Sequence, residues 1–208
     1  MCKEGNLLLF GNTLELWHSL ILIVGREANN RGEIIPELGT YAEQGVDASW
    51  PSVPFWSNTY GLIGSYGQMT SADLKAECST NKSSPIVICD ASPKPLDGSY
   101  STPEKKKIRK NIPQENIDHH IQRVFEHKQV VKRIKLVIFS GIRGSGLDHS
   151  IKPLELACEE NSIPSCHIHG ISSRRHSHQM RRNQLGEYAN ILESVMAEFL
   201  SQNVRKAA

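Results

Sequence analysis

The chain has 208 residues and a formal net charge of +2; 38% of its residues are hydrophobic, 22% charged and 6% aromatic. These are the fractions of an ordinary globular protein, and they exclude a largely disordered chain. The longest apolar run, Leu20 to Val24, is too short to cross a bilayer, which takes about 20 residues. The N-terminus lacks a secretory pattern and the five scattered cysteines contain no Cys-x-x-Cys pair. We therefore expect a cytoplasmic protein with no disulfide framework and no membrane partner.

Four short apolar segments predict buried strands. They are Leu20–Val24, Ile86–Cys89, Leu136–Phe139 and the weaker Ser165–His169. Continuous apolar runs without alternation are typical of parallel strands that are covered on both faces.

Helical periodicity lies between and after these strands. It predicts helices around Ile117–Phe125, at Leu154–Glu160 and from His178 to Gln202. The intervals 26–85 and 91–113 are rich in glycine, proline and polar residues and are expected to be loops. The pattern predicts one α/β domain over residues 1–208, with a four-stranded parallel sheet flanked by helices on both faces.

Ligands of an open parallel sheet bind beyond the carboxyl ends of its strands. This rule selects the loops that begin at Gly25, Asp90, Ser140 and His169. The third of these loops, Ser140–Gly146, is rich in glycine and resembles a phosphate-cradling turn, although it has no P-loop lysine.

Three loop sequences resemble motifs of the uracil-DNA glycosylase superfamily. They are Gly25-Arg26-Glu27-Ala28-Asn29 after the first strand, Val53-Pro54-Phe55-Trp56, and His169-Gly170-Ile171-Ser172 after the fourth strand. The resemblance implies a three-layer sandwich and a DNA-repair hydrolase that excises a damaged or deaminated base, with DNA as partner and no cofactor or metal. Ala28 and Gly170 replace the prolines usual in the first and last motifs.

The resemblance also implies roles for individual residues. Glu27 would orient the attacking water, and His169 would donate a hydrogen bond to the carbonyl oxygen of the departing base. Phe55 would stack on that base. Gly25, Arg26 and Asn29 would complete the substrate site.

Asp90 stands nearest the position at which many members of the superfamily read the base with an asparagine. An ionised carboxylate offers acceptors only, so an Asp90 that reads the base favours bases presenting donors over uracil. Alternatively, Ser92, Asn29 or Asn30 reads the base and Asp90 is structural.

DNA contacts are expected from Ser172, Ser173, Arg174 and Arg175, with Ile171 as an apolar wedge in the vacated stack. The basic run 105–110 also favours a polyanionic partner.

Two other functions stay open. One is a non-catalytic Rossmann-like module that binds a nucleotide or nucleic acid through Ser140–Gly146. The other is a nucleoside hydrolase or transferase that acts without DNA. The sequence does not indicate an oligomeric state.

Overall fold

A computed structural model of the chain describes residues 4–11, 13, 19–26, 38–40, 54–94, 96, 100–171 and 177–207. The strands of this described part are β1 (Leu7–Leu9), β2 (Leu20–Gly25), β3 (Leu38–Thr40), β4 (Ile86–Asp90), β5 (Ile134–Ser140) and β6 (Ser165–Ile168). Its α-helices are α1 (Pro54–Gly64), α2 (Ser71–Asn81), α3 (Thr102–Lys110), α4 (Gln114–Glu126), α5 (Lys128–Val131), α6 (Ile151–Glu160), α7 (His178–Gln184) and α8 (Ala189–Ala207).

The four predicted strands lie side by side in the sheet, with β6 at one edge. The full order is β3-β1-β4-β2-β5-β6, and β4, β2, β5 and β6 are mutually parallel. Strand β2 is buried along its whole length because it has a parallel neighbour on each side and is covered on both faces. Its uninterrupted apolar sequence follows from that burial.

The sheet is larger than predicted, and it is mostly rather than wholly parallel. Strands β1 and β3 extend it beyond β4, and β1 runs antiparallel to β4 through a single pair, Leu8 with Ile88. The sequence did not predict these two strands because each has only three residues. Such short segments carry too little periodicity to be recognised.

The helices form two groups. Helices α2, α7 and α8 each contact α1, and α8 also packs on β2 and β5, whereas α4 contacts α6. Right-handed crossovers explain this division. The chain moves from β2 to β4 in one direction along the sheet and from β4 to β5 and β6 in the other, so the two sets of connecting helices fall on opposite faces. The arrangement is an α/β fold consistent with three layers.

Three helices lie in intervals that we expected to be loops. Helices α1 and α2 lie within 26–85, and α3 lies within 91–113. Two of them begin at a capping box that the sequence displays, Thr70 with Asp73 and Ser101 with Glu104. Helix α1 has no such signal: its aromatic residues and glycines are poor helix formers, and packing against the core compensates.

The last predicted helix is interrupted. The segment from His178 to Gln202 was expected to be continuous, but α7 ends at Gln184 and a 3-10 turn, Gly186–Tyr188, precedes α8. The buried side chain of Leu185 fills the junction between the two helices. Gly186, which favours a helix end, marks the break in the sequence.

Two glycines of the turn after β5 have similar backbone angles but differ in the space around them. Gly141 and Gly144 both have positive φ, +68° and +71°. A Cβ atom on Gly141 would lie 2.6 Å from the Gly170 Cα, whereas a Cβ on Gly144 would meet nothing within 4 Å.

We predict that Gly144→Ala lowers the free energy of unfolding by about 1–2 kcal/mol, the cost of the left-handed conformation alone. Gly141→Ala has the same cost and also forces two loops apart, which adds about 1–3 kcal/mol. Urea denaturation of both variants measures the difference. Equal destabilisation of the two variants would contradict the close approach of Gly141 and Gly170.

Candidate functional site

The carboxyl ends of the four parallel strands form one edge of the sheet. Gly25 pairs with Asp90, Val24 with Phe139, and Ser140 with Ile168, so Asp90, Gly25, Ser140 and Ile168 follow one another along this edge. The chain leaves β2 toward β4 but later returns to β5 on the other side, which makes the space between β2 and β5 the topological switch point. His169 and Asp90 are separated by three strand spacings, about 14 Å at 4.8 Å each.

Asp90 and Gly25 are in close contact at this edge. A Cβ atom on Gly25 would lie 2.9 Å from Asp90 Oδ1, so the carboxylate lies where any other residue at position 25 would place its side chain. Only 9% of Asp90 is exposed. The pairing continues past the strands, because Ala91 N donates to Gly25 O at 2.9 Å and Ser92 N donates to Arg26 O at 3.0 Å.

His120 is hydrogen-bonded to the backbone carbonyl oxygen of Asp90. It is fully buried on α4, where its Nδ1 accepts from Gly5 N at 2.8 Å and its Nε2 lies 2.7 Å from Asp90 O. Because Nδ1 is an acceptor, Nε2 carries the proton and donates to Asp90 O. Burial lowers the pKa of His120 below its ordinary 6.5, which favours this neutral form. Sequence reasoning missed His120, although it falls on the apolar stripe beside Ile117 and Ile121.

Ser92 is buried, and its side chain makes its hydrogen bonds within its own loop. Its Oγ donates to Lys94 O at 2.9 Å and accepts from Lys94 N at 3.1 Å. These bonds shape the loop that leaves Asp90. Of the two candidates described on this loop, Asp90 is the one whose side chain contacts the β2 edge.

The loops after β5 and β6 are joined to each other. Ile171 N donates to Ser140 Oγ at 2.9 Å, and His169 N donates to Gln184 Oε1 at 2.9 Å. Arg181 of α7 holds the same loop by donating to Gly170 O at 3.0 Å. His169 itself is partly exposed at the edge of the sheet. Ser140, expected as the first residue of a candidate ligand loop, is therefore a structural link between the loops after β5 and β6.

Ile171 does not have the exposure that the predicted wedge requires. The structure buries it completely, and both its backbone polar groups are bonded, N to Ser140 and O to Asn58. An apolar wedge must reach out of the protein to fill a base stack. We correct the prediction and assign Ile171 to the packing beneath the loop.

Helix α1 carries Phe55 to the same region. Asn58 Nδ2 donates to Ile171 O at 2.8 Å and joins α1 to the loop that follows His169. Phe55 is half-buried and lies edge-to-face against Trp56, with 5.3 Å between the ring centroids. Part of the Phe55 surface therefore packs in the core while the rest faces outward.

The remaining predicted site residues lie outside the described residues. They are Glu27 and Asn29 after β2, and Ser172, Ser173, Arg174 and Arg175 before α7. Of the predicted substrate and catalytic residues, Gly25, Arg26, Asp90, Ser92 and His169 lie at the carboxyl edge, and Phe55 lies on the helix joined to it.

Two backbone amides of the glycine-rich turn, Ser140–Gly146, are bonded to a carboxylate of the same chain. Asp148 accepts from Gly144 N through Oδ1 at 2.6 Å and from Gly146 N through Oδ2 at 3.3 Å. The Gly144 bond is the largest of the effects that lower the pKa of the Asp148 carboxyl. Because these amides already donate to a carboxylate, the geometry weighs against a phosphate cradle and against a binding module built on this turn.

A groove of about 620 Å³ lies elsewhere, between α4 and α6. Its apolar floor includes Ile121, Phe125 and Leu156, and it contains none of the predicted site residues. Within the ranges that the structure describes, no three His, Cys, Asp or Glu side chains are grouped so as to hold a metal ion. No helix in those ranges is long and apolar enough to cross a membrane.

Comparison with known proteins gives no neighbour for this chain: no family model, curated protein or solved structure matches it.

We predict that acid destabilises the protein partly through His120. Its pKa is lower in the folded than in the unfolded state, so the unfolded state binds the proton more tightly and the free energy of unfolding falls as the pH drops below about 6.5. His120→Gln removes this titration. The variant should be less stable at pH 7.5, by about 2–5 kcal/mol for the lost buried hydrogen bonds, and its stability should vary less with pH.

Chemical denaturation between pH 7.5 and 5 measures both effects. His167, which pairs with Glu155 at 2.9 Å, also has a lowered pKa through burial, so His167→Gln is the matched control for a second titrating histidine. An unchanged pH dependence in His120→Gln would show that His120 is not a neutral bridge.

Proposed function

We propose that this protein is a DNA-base glycosylase, a hydrolase that cleaves the N-glycosidic bond of a damaged or deaminated base, and a divergent member of the uracil-DNA glycosylase superfamily. The observation that carries the proposal is the placement of Asp90. A buried carboxylate in contact with a glycine, at the carboxyl edge and one strand away from the switch point, is the kind of group that can read a ligand in a confined space. The four parallel strands between two groups of helices also agree with the fold that the motifs imply.

Excision requires a base that has left its stack and entered a pocket. The C1′–N bond then breaks, the sugar becomes oxocarbenium-like and the base departs as an anion. Water adds its oxygen to C1′, and its proton passes to a carboxylate or to solvent. Glu27, two residues beyond Gly25, is the proposed group for orienting this water and offsetting the positive charge on the sugar.

His169 has the complementary role. A hydrogen-bond donor aimed at the carbonyl oxygen of the departing base stabilises the developing negative charge, an effect worth about 3 kcal/mol for a single well-placed donor. The backbone of His169 is held by Gln184, and the loop that follows is held by Ser140 and Arg181. These bonds keep the histidine at the edge of the sheet.

We expect Glu27→Gln and His169→Ala each to lower the single-turnover excision rate at least tenfold, about 1.4 kcal/mol in the barrier. The assay uses end-labelled duplexes with one uracil, hypoxanthine or xanthine, followed by alkaline cleavage of abasic sites. His119→Ala is the control, because His119 is an exposed histidine on α4 that pairs with Glu4. Absence of cleavage on every duplex with protein in excess would refute the proposed activity. A normal rate in either variant would remove that residue from the mechanism.

Asp90→Asn should change which base is preferred. A carboxylate accepts the ring N–H of uracil but repels its neighbouring carbonyl oxygen, whereas an amide satisfies both. Xanthine presents two ring N–H groups where uracil presents one. The ratio of uracil to xanthine excision should therefore rise at least tenfold in Asp90→Asn. An unchanged ratio, in a variant whose circular dichroism matches wild type, would mean that Asp90 does not read the base.

A further inference from the structure

Helix α3 has a larger net positive charge than the chain as a whole. Helix α3, Thr102–Lys110, contains five basic residues and one acidic residue, whereas the whole chain has a net charge of only +2. The rest of the protein is therefore slightly acidic. The sequence suggested a basic loop, but the structure places these residues on a capped helix with fixed faces.

One basic residue of this run points inward. Arg109 is 3% exposed, and its Nη1 donates to Ser145 O at 2.9 Å. On the same side of the junction, a Cβ on Gly146 would lie 2.6 Å from Lys106 O, so the helix backbone packs directly on the turn after β5. The helix is thereby anchored beside the carboxyl edge that carries the candidate site.

Three lysines point outward. At 100° per residue, Lys106, Lys107 and Lys110 fall within an arc of about 100° that contains neither Ile108 nor Arg109, and all three are exposed. Within the described part of the chain, none of these three ammonium groups is found in an ion pair.

The nearby carboxylates are already engaged with backbone amides. Glu104 accepts from Ser101 at the start of the helix, and Asp148 accepts from Gly144 and Gly146. Asp148 also attracts Lys106 at longer range. The aromatic side chain of Tyr100, 44% exposed, lies just before the helix cap. Lysines with an adjacent exposed aromatic are typical of a nucleic-acid surface.

We infer that Lys106, Lys107 and Lys110 form a lysine face that binds the phosphate backbone of DNA beside the candidate site. The spacing suits this partner, because Lys106 and Lys110 are about 6 Å apart along the helix axis and one DNA strand carries a phosphate every 3.4 Å. The inference rests on the proposed function for its choice of DNA, but binding itself does not require catalysis.

The test is the binding of an undamaged, fluorescently labelled duplex, measured by anisotropy at several salt concentrations. The variant Lys106→Ala/Lys107→Ala/Lys110→Ala should bind at least tenfold more weakly than wild type at low salt. The slope of log affinity against log salt should become shallower by about 2–3, because each phosphate contact contributes about 0.9.

The control is Lys128→Ala/Lys132→Ala/Lys135→Ala. These three lysines are exposed and adjoin the start of β5, at the opposite edge of the sheet. The control removes the same charge and should bind DNA within about twofold of wild type. Equal weakening in both variants would show that only net charge matters, and it would overturn the inference.

The outcomes distinguish this inference from the proposed activity. Loss of binding in the lysine-face variant alone supports the surface, whether or not any base is excised. If wild type excises a base and the lysine-face variant binds and excises equally well, the proposed DNA-binding role of the lysine face is wrong, whereas the proposed excision activity is supported. Wild-type protein that does not bind the duplex at low salt also overturns the surface. Matched circular dichroism of the variants excludes loss of the fold as the cause.

Discussion

The close approach of chain segments at the carboxyl edge, which two glycines permit, is the constraint on which the rest of the site depends. Gly25 leaves space for the Asp90 carboxylate, and Gly141 allows the loop after β5 to meet the loop after β6 at Gly170. A Cβ at either position would displace a group that the site requires. The bond between Ile171 and Ser140 then closes the edge. The absence of two side chains thus allows the ends of β2 and β4, and likewise the loops after β5 and β6, to approach each other closely.

The four parallel strands could be predicted from sequence, whereas β1, β3 and three of the helices could not. Runs such as Leu20–Val24 can be recognised as buried strands because full burial removes every polar residue from them. The sequence of α1 offers no comparable signal, because its helical conformation depends on packing rather than on propensity. The missed helix α3 is different: its capping box was visible at Ser101 and Glu104, but the lysines that follow gave no apolar stripe to accompany it.

The loops that make up the candidate site could be predicted from the sequence, but most of the interactions within it could not. The topological rule found the loops at Gly25, Asp90, Ser140 and His169, because it needs only the strand order. It could not reveal that His120 supports Asp90 or that Ile171 is buried, since both depend on packing between distant segments. The same limit applies to the basic run, in which Arg109 and the neighbouring lysines are alike in charge but opposite in direction.

Asp148 accepts hydrogen bonds from the glycine-rich turn as a ligand that is covalently part of the same chain. A tethered carboxylate is present at a high effective concentration, so a free phosphate competes with a ligand that cannot diffuse away. The turn therefore keeps two backbone amides directed at an anion, and that anion belongs to the same chain. A single substitution that shortened or neutralised this side chain would expose the amides. Without that carboxylate, the Gly144 and Gly146 amides would have lost the acceptor that now occupies them.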